Sequence, residues 1–279
     1  MRGSGLEFAV VATLVAVLHI PQTPSKTTSE VVFSRGLWKT TSEVVFDSAP
    51  PGTFSVLGYD PETGAVGGAV QSRVFSVGNG VLWADAGVGV VATQAIVDVA
   101  YGPKALELLK QGMPPKDIVK KIWDEDPDPG YANQRWQKAG RQFAVMNAKG
   151  EVAAFTGPEA PVAAGDKQAP FVSAQGNTLA NTDVPAAMVD AFLKSERDAA
   201  GARTHLSLRL LAALEAGQAV GGDRRGQQSA AILIVKKDCG VWLHNDVEVR
   251  LQVDDNPEPI KELRRLVEIW NRTQKRRGC

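Results

Sequence analysis

TFSVLGYDPETGAVGGAVQS, from Thr53 to Ser72, is two apolar runs joined by a turn. Thr53 to Gly58 and Ala65 to Ser72 read as strands. Asp60-Pro61-Glu62-Thr63-Gly64 connects them, because Asp-Pro initiates a turn and Gly64 tolerates positive φ. The second run is rich in small side chains, which suits a strand approached closely by another backbone or a packed helix. Pro50-Pro51-Gly52 precedes the hairpin and breaks whatever comes before it, since proline has no N–H for a ladder. The first strand therefore starts abruptly at a threonine.

Downstream, Val81–Ala84 and Val88–Ala95 continue the strands, and their nearly unbroken apolar character calls for cover on both faces. Pro103 is expected to open a helix with Ala105, Leu108 and Leu109 on one side, ended by Gly112. A second starts at Pro114-Pro115, with Ile118, Val119 and Ile122 inward. Asp124 to Asn133 reads as an acidic, solvated loop. Arg141–Met146 and Glu151–Thr156 flank Asn147-Ala148-Lys149-Gly150 as a hairpin. After a strand at Phe171–Leu179 come two helices, the second carrying Leu206, Leu210, Ala213 and Leu214 and stopping at Gly217. The polar loop Gly221–Gln228 feeds a strand at Ser229–Val235, Val241–Val253 supplies one or two more, and a last helix starts near Pro259. Hairpins with helix pairs between them indicate α+β, and sheets covered on both faces indicate a four-layer αββα sandwich of two packed antiparallel sheets flanked by helices.

Upstream, residues 1–52 read as a removable leader before a single domain over 53–279. The apolar run 8–20 after Arg2 is short for a stable membrane span and right for a signal-peptide core. The expected location is periplasmic or secreted; without export it is cytoplasmic. Within 26–46 an eight-residue segment, Lys26 to Phe33, recurs as Lys39 to Phe46. Two such short copies cannot build a solenoid, so they read as a duplication in a segment tolerant of length change. The apolar run ends about thirty residues before Thr53, so either a second cut exposes Thr53 or the duplicated insert compromises maturation of this chain.

Composition removes several classes. The 31 basic residues balance 31 acidic ones, giving no field that would draw nucleic acid. Three dispersed histidines offer no metal-ligand pair, so no metal is expected, and no nucleotide-binding glycine motif is present. No cofactor is expected. Cys239 and Cys279 are too few for a disulfide framework, and whether they pair is open.

The motifs Thr53-Phe54-Ser55-Val56, Asp60-Pro61-Glu62-Thr63-Gly64, Ala69-Val70-Gln71-Ser72, Gly87-Val88-Gly89-Val90-Val91-Ala92-Thr93-Gln94, Gln175-Gly176-Asn177 and Gly221-Gly222-Asp223-Arg224-Arg225-Gly226 occur in order. Together they resemble a bacterial family, domain of unknown function 1028 (DUF1028), regarded as Ntn (N-terminal nucleophile) hydrolase-like. The resemblance spans Thr53 to about Arg265 and implies the αββα fold with a threonine heading the first strand.

Chemistry gives that threonine a role. Its hydroxyl is a weak nucleophile until a base takes the proton, and a terminal α-amine, with a pKa of about 7.7–8.0, is such a base within reach. Cleavage before Thr53 would create it, and Gly52 suits the junction by tolerating a strained backbone. Gln94 and Asn177 are polar ends of apolar strands and candidate oxyanion donors. Asp223 is expected to tune the site, and Arg73, Arg224 and Arg225 to bind a carboxylate-bearing substrate. Ser55 and Ser72 are further hydroxyls, one or both facing the core. The expected function is hydrolysis of a C–N amide bond in a small-molecule or peptide substrate. The alternative is a non-catalytic secreted ligand-binding protein on the same fold. Homo-oligomerisation is left open.

Overall fold

Gly64 takes φ 74° and donates its N–H to Asp60 O at 2.8 Å, closing the turn between β1 (Thr53–Tyr59) and β2 (Val66–Ser72). The two strands pair antiparallel with Thr53 opposite Ser72 and Tyr59 opposite Val66. The small residues of β2 have the expected reason. A Cβ on Gly67 would lie 2.3 Å from the carbonyl oxygen of Leu233 in the neighbouring strand.

This computed structural model describes residues 52–128, 137–275 and 279, all within one compact unit. The expected signal-like run and duplicated segment lie outside the described residues, as does the second half of the acidic loop. After β2 comes one helical turn, α1 (Gly78–Val81), then β3 (Leu82–Asp85) and β4 (Gly89–Ala95). Helices α2 (Tyr101–Lys110) and α3 (Pro115–Asp124) follow, then β5 (Arg141–Asn147), β6 (Val152–Thr156), β7 (Gly165–Ala169) and β8 (Val172–Asn177). The chain ends through α4 (Val184–Lys194), α5 (Leu206–Ala219), β9 (Ser229–Val235), β10 (Val247–Val253) and α6 (Pro259–Thr273).

The strands form two antiparallel sheets, one of six in the order β10-β9-β2-β1-β8-β7 and one of four in the order β3-β4-β5-β6. Alternation divides their side chains among three apolar layers. Phe54, Val56 and Ile232 pack with Met188, Phe192, Leu210 and Leu263 beneath α4, α5 and α6. Leu57, Val66 and Val70 meet Val90, Ala92, Ala144 and Met146 between the sheets. Val91, Phe143 and Val145 pack against Ala105, Ile118 and Ile122 of α2 and α3. The result is the αββα sandwich with β1 near the middle of the larger sheet.

Several local expectations change. The first predicted strand after the hairpin starts at Leu82, because Gly78–Val81 coil into a helical turn. Helix α2 begins before Pro103, its start held by the Asp98 carboxylate accepting from Ala100 N–H at 2.9 Å. Gly217 does not end α5 but lies inside it, where a Cβ would sit 2.8 Å from Met188 Cγ. Val241–Asn245 forms a closed loop and not a strand, with Gly240 N–H donating to Asn245 O at 2.6 Å. Asp126 in the acidic loop is buried, accepting from the Tyr101 hydroxyl and from Arg141 Nε at 3.3 Å. The two cysteines, left open from sequence, form a disulfide. Among the described residues, no helix is long and apolar enough to cross a membrane.

Candidate functional site

The register fixed by the hairpin sets Thr53 beside Ser72 on one side and beside Asn177 of β8 on the other. In the four-stranded sheet, Gln94 lies opposite Gln142, and Gln142 opposite Thr156. These positions face one another between the sheets. The interior there is apolar at the Leu57 end and polar at the Thr53 end.

Buried polar groups in such a place must find partners. Ser55 Oγ donates to Gln94 Oε1 at 2.6 Å and accepts from Gln175 Nε2 at 2.6 Å. Gln94 Nε2 and Asn177 Nδ2 both donate to Gln142 Oε1, at 2.7 and 3.0 Å. Each also approaches the carbonyl oxygen of Thr53 at 3.4 Å. Gln142 Nε2 in turn donates to Gly176 O and Thr156 Oγ1, both at 2.9 Å. Gln94 and Asn177 therefore grip the carbonyl on the far side of Thr53 from the Gly52 junction. They brace the residue from that side. Asn177 Oδ1 is buried and accepts nothing among the described residues.

The junction itself has different donors. The Thr53 hydroxyl donates to Ser72 Oγ at 3.1 Å, and Ser72 Oγ donates onward to the carbonyl oxygen of Gly52 in a short hydrogen bond. Arg225 Nη2 donates to the same oxygen at 2.8 Å. Arg225 is held by Asp223, which is almost fully buried: Nε reaches Oδ1 at 3.1 Å and Nη2 reaches Oδ2 at 2.7 Å. The backbone N–H groups of Arg225 and Arg73 also donate to that carboxylate, at 2.9 and 3.2 Å. A fork held on a carboxylate keeps little rotamer freedom, so the guanidinium is aimed at Gly52 before any reaction.

Gly52 is buried in this cradle. What it needs is room: a Cβ would lie 2.7 Å from Thr178 Cβ, 2.9 Å from Asp223 Oδ2 and 3.1 Å from Arg225 Nη2.

Of the residues singled out from sequence, Gly52, Thr53, Gln94, Asn177, Asp223 and Arg225 come together. Arg73 is exposed; its guanidinium donates to Arg225 O at 2.7 Å, so it anchors the loop. Arg224 is exposed and only its backbone N–H joins in, donating to Thr178 O at 3.0 Å. Ser72, weighed only as a spare hydroxyl, sits at the centre of the hydrogen-bond chain. Gln175 was read only as part of a motif, and Gln142 and Thr178 went unnoticed. The signal available for Gln142 was a polar residue at the start of an otherwise apolar strand.

Residues 53–263 match the model of a family of unknown function, DUF1028, and the match begins at Thr53 itself. Eight chains of solved structures are similar to this one. Among them is the crystal structure of protein SPO2555 from Silicibacter pomeroyi, which carries the same family model. It is 33% identical, with a TM-score of 0.67, over 79% of this chain and 89% of that one. No curated protein matches.

Proposed function

This chain belongs to the DUF1028 family, whose function is unassigned, and from its own site we propose an amide hydrolase whose nucleophile is Thr53, freed as a chain terminus by cleavage of the Gly52–Thr53 bond. The observation that carries the reading is the hydrogen-bond chain from the Thr53 hydroxyl through Ser72 to the Gly52 carbonyl oxygen, with Arg225 on that same oxygen.

The chain is a proton path suited to self-cleavage. As Thr53 Oγ1 bonds to the Gly52 carbonyl carbon, its proton passes to Ser72 and the Ser72 proton passes to the carbonyl oxygen. The charge of Arg225 stabilises that oxygen throughout. As the C–N bond breaks, the carbonyl re-forms and the proton on its oxygen passes to the departing nitrogen, leaving a Gly52 ester on Thr53 with a free α-amine, and water hydrolyses the ester. Cleavage leaves 279 − 52 = 227 residues.

With its amine free, Thr53 turns over other amides. The neutral amine takes the hydroxyl proton as oxygen bonds to the substrate acyl carbon, then gives it to the departing nitrogen. Water releases the acid and restores the hydroxyl. Gln94 and Asn177 hold Thr53 through its carbonyl once its N-terminal side is cut. The αββα architecture fits the Ntn-hydrolase-like reading, although a fold does not certify an activity. The Cys239–Cys279 disulfide supports an oxidising compartment, periplasmic or extracellular.

Intact mass of the purified full chain tests the proposal. Wild type should begin at Thr53, as should Thr53→Ser, while Thr53→Ala stays whole. Ser72→Ala should slow cleavage about a hundredfold, the usual cost of one oxyanion donor. A folded wild-type chain that retains Gly52 overturns the proposal and leaves the ligand-binding alternative.

A further inference from the structure

The cradle around Gly52 also specifies which acyl groups the site can take. We infer that the substrates are amides of acyl groups with no L-substituent at the α-carbon, glycyl amides foremost, and that Thr178 and Asp223 enforce this. The inference rests on the proposed hydrolase reading and adds the substrate class.

The argument is one of superposition. In self-cleavage the carbon attacked is that of Gly52, and its oxygen is held by Ser72 Oγ and Arg225 Nη2. Self-cleavage and turnover pass through the same kind of ester on Thr53 Oγ1, and an ester whose carbonyl oxygen is held by the same two donors sets its α-carbon beside the walls that line Gly52 Cα. There the L-substituent direction is blocked: the Cβ position lies 2.7 Å from Thr178 Cβ and 2.9 Å from Asp223 Oδ2, both well inside contact distance.

Neither wall yields easily. Thr178 is buried and sits at φ 53°, its carbonyl taken by Arg224 N–H. The Asp223 carboxylate is fixed by two bonds from the Arg225 guanidinium and two from backbone N–H groups. Moving it would also misaim Arg225. A glycyl acyl group therefore fits, and one with an L side chain on its α-carbon does not.

The test uses wild-type protein expressed as the whole chain and shown by mass to begin at Thr53. It is given N-acetylglycyl-p-nitroanilide and N-acetyl-L-alanyl-p-nitroanilide, with released p-nitroaniline read by absorbance. The expected kcat/KM favours the glycyl compound by about tenfold or more, the scale of forcing one methyl into a filled site. Thr178→Gly, which suits the positive φ and removes one wall, should narrow that ratio. Equal rates on the two compounds, or turnover of neither by the cleaved protein, overturn the inference while self-cleavage stands. A chain that retains Gly52 overturns the hydrolase reading and the inference with it. If Thr178→Gly does not fold, the wild-type ratio still decides.

Discussion

Asp126 and Asp223 are both buried acids, each held by an arginine that also donates to a backbone carbonyl. Arg225 serves Asp223 and Gly52 O, and Arg141 serves Asp126 and Ile96 O at 2.7 Å. Only the first carbonyl has a threonine hydroxyl and a serine relay beside it, so a polarised carbonyl alone does not define the site. The second pair is structural, and its electrostatics give a pH prediction. Burial pushes the Asp126 carboxyl up. The Tyr101 hydroxyl, the Asp128 N–H and the Arg141 guanidinium outweigh it and hold the group below the usual carboxylate range. The Tyr101 phenol moves the other way, raised first by burial and then by Asp126. A carboxyl depressed in the fold contributes stability above its unfolded pKa of about 3.9, and that stability is lost as pH falls through the folded value. Asp126→Asn should therefore cost about 3 kcal/mol at pH 7, the scale of leaving a buried partner unpaired. The cost should shrink as pH falls below about 4. Thermal melts of both proteins across that range check the sign; a constant difference would remove Asp126 from the acid response.

At the scale of elements, β2 shows how packing decides which strands are possible. It lies between β1 and β9, and Gly67 faces Leu233 O so closely that no side chain fits. Gly67→Ala should destabilise by about 1–3 kcal/mol through overpacking, read as a melting temperature lowered by several degrees. An unchanged melt would mean β9 shifts freely. The hairpins were legible because turn chemistry is local: Asp60-Pro61 and Gly64 announce β1 and β2 without help from the rest of the chain. Strand β7 was not, since Asp166, Lys167 and Gln168 are exposed on a sheet edge and carry no apolar alternation. Thr53 was legible by following a proline-glycine break, and Gln94 and Asn177 by being polar ends of apolar strands. Their partners were not. Gln142 comes from the facing sheet, and no spacing along the sequence links residues that meet only when two layers pack. The crowding of Gly52 by Thr178 and Asp223 was not legible, because it depends on contacts 126 residues or more away in sequence.

For the whole molecule, the central strand β1 joins two unlike ends. Thr53 lies at the end where β9 begins, in line with Ser72 and Ser229, and Tyr59 at the end where β9 finishes, in line with Val66 and Val235. Buried amides and hydroxyls fill the first end of the inter-sheet space, while aliphatic side chains fill the middle. The Cys239–Cys279 disulfide belongs to the second end, four residues past Val235, and closes a loop over a sequence separation of 40 that contains β10 and α6. Cross-linking a loop of that size is worth about 4 kcal/mol in the chain-entropy account, less where the unfolded chain keeps structure. Stability and processing should therefore separate. Reduction by a dithiol should lower the melting temperature by several degrees in wild type and not in Cys279→Ser, which starts from the lower value. Cleavage of Gly52–Thr53, followed by mass at a temperature where both stay folded, should proceed at the same rate with the disulfide intact or reduced. A rate that falls with reduction would show that the packed sheets transmit strain along the length of β1, and that the relay at Thr53 depends on how the opposite end is held.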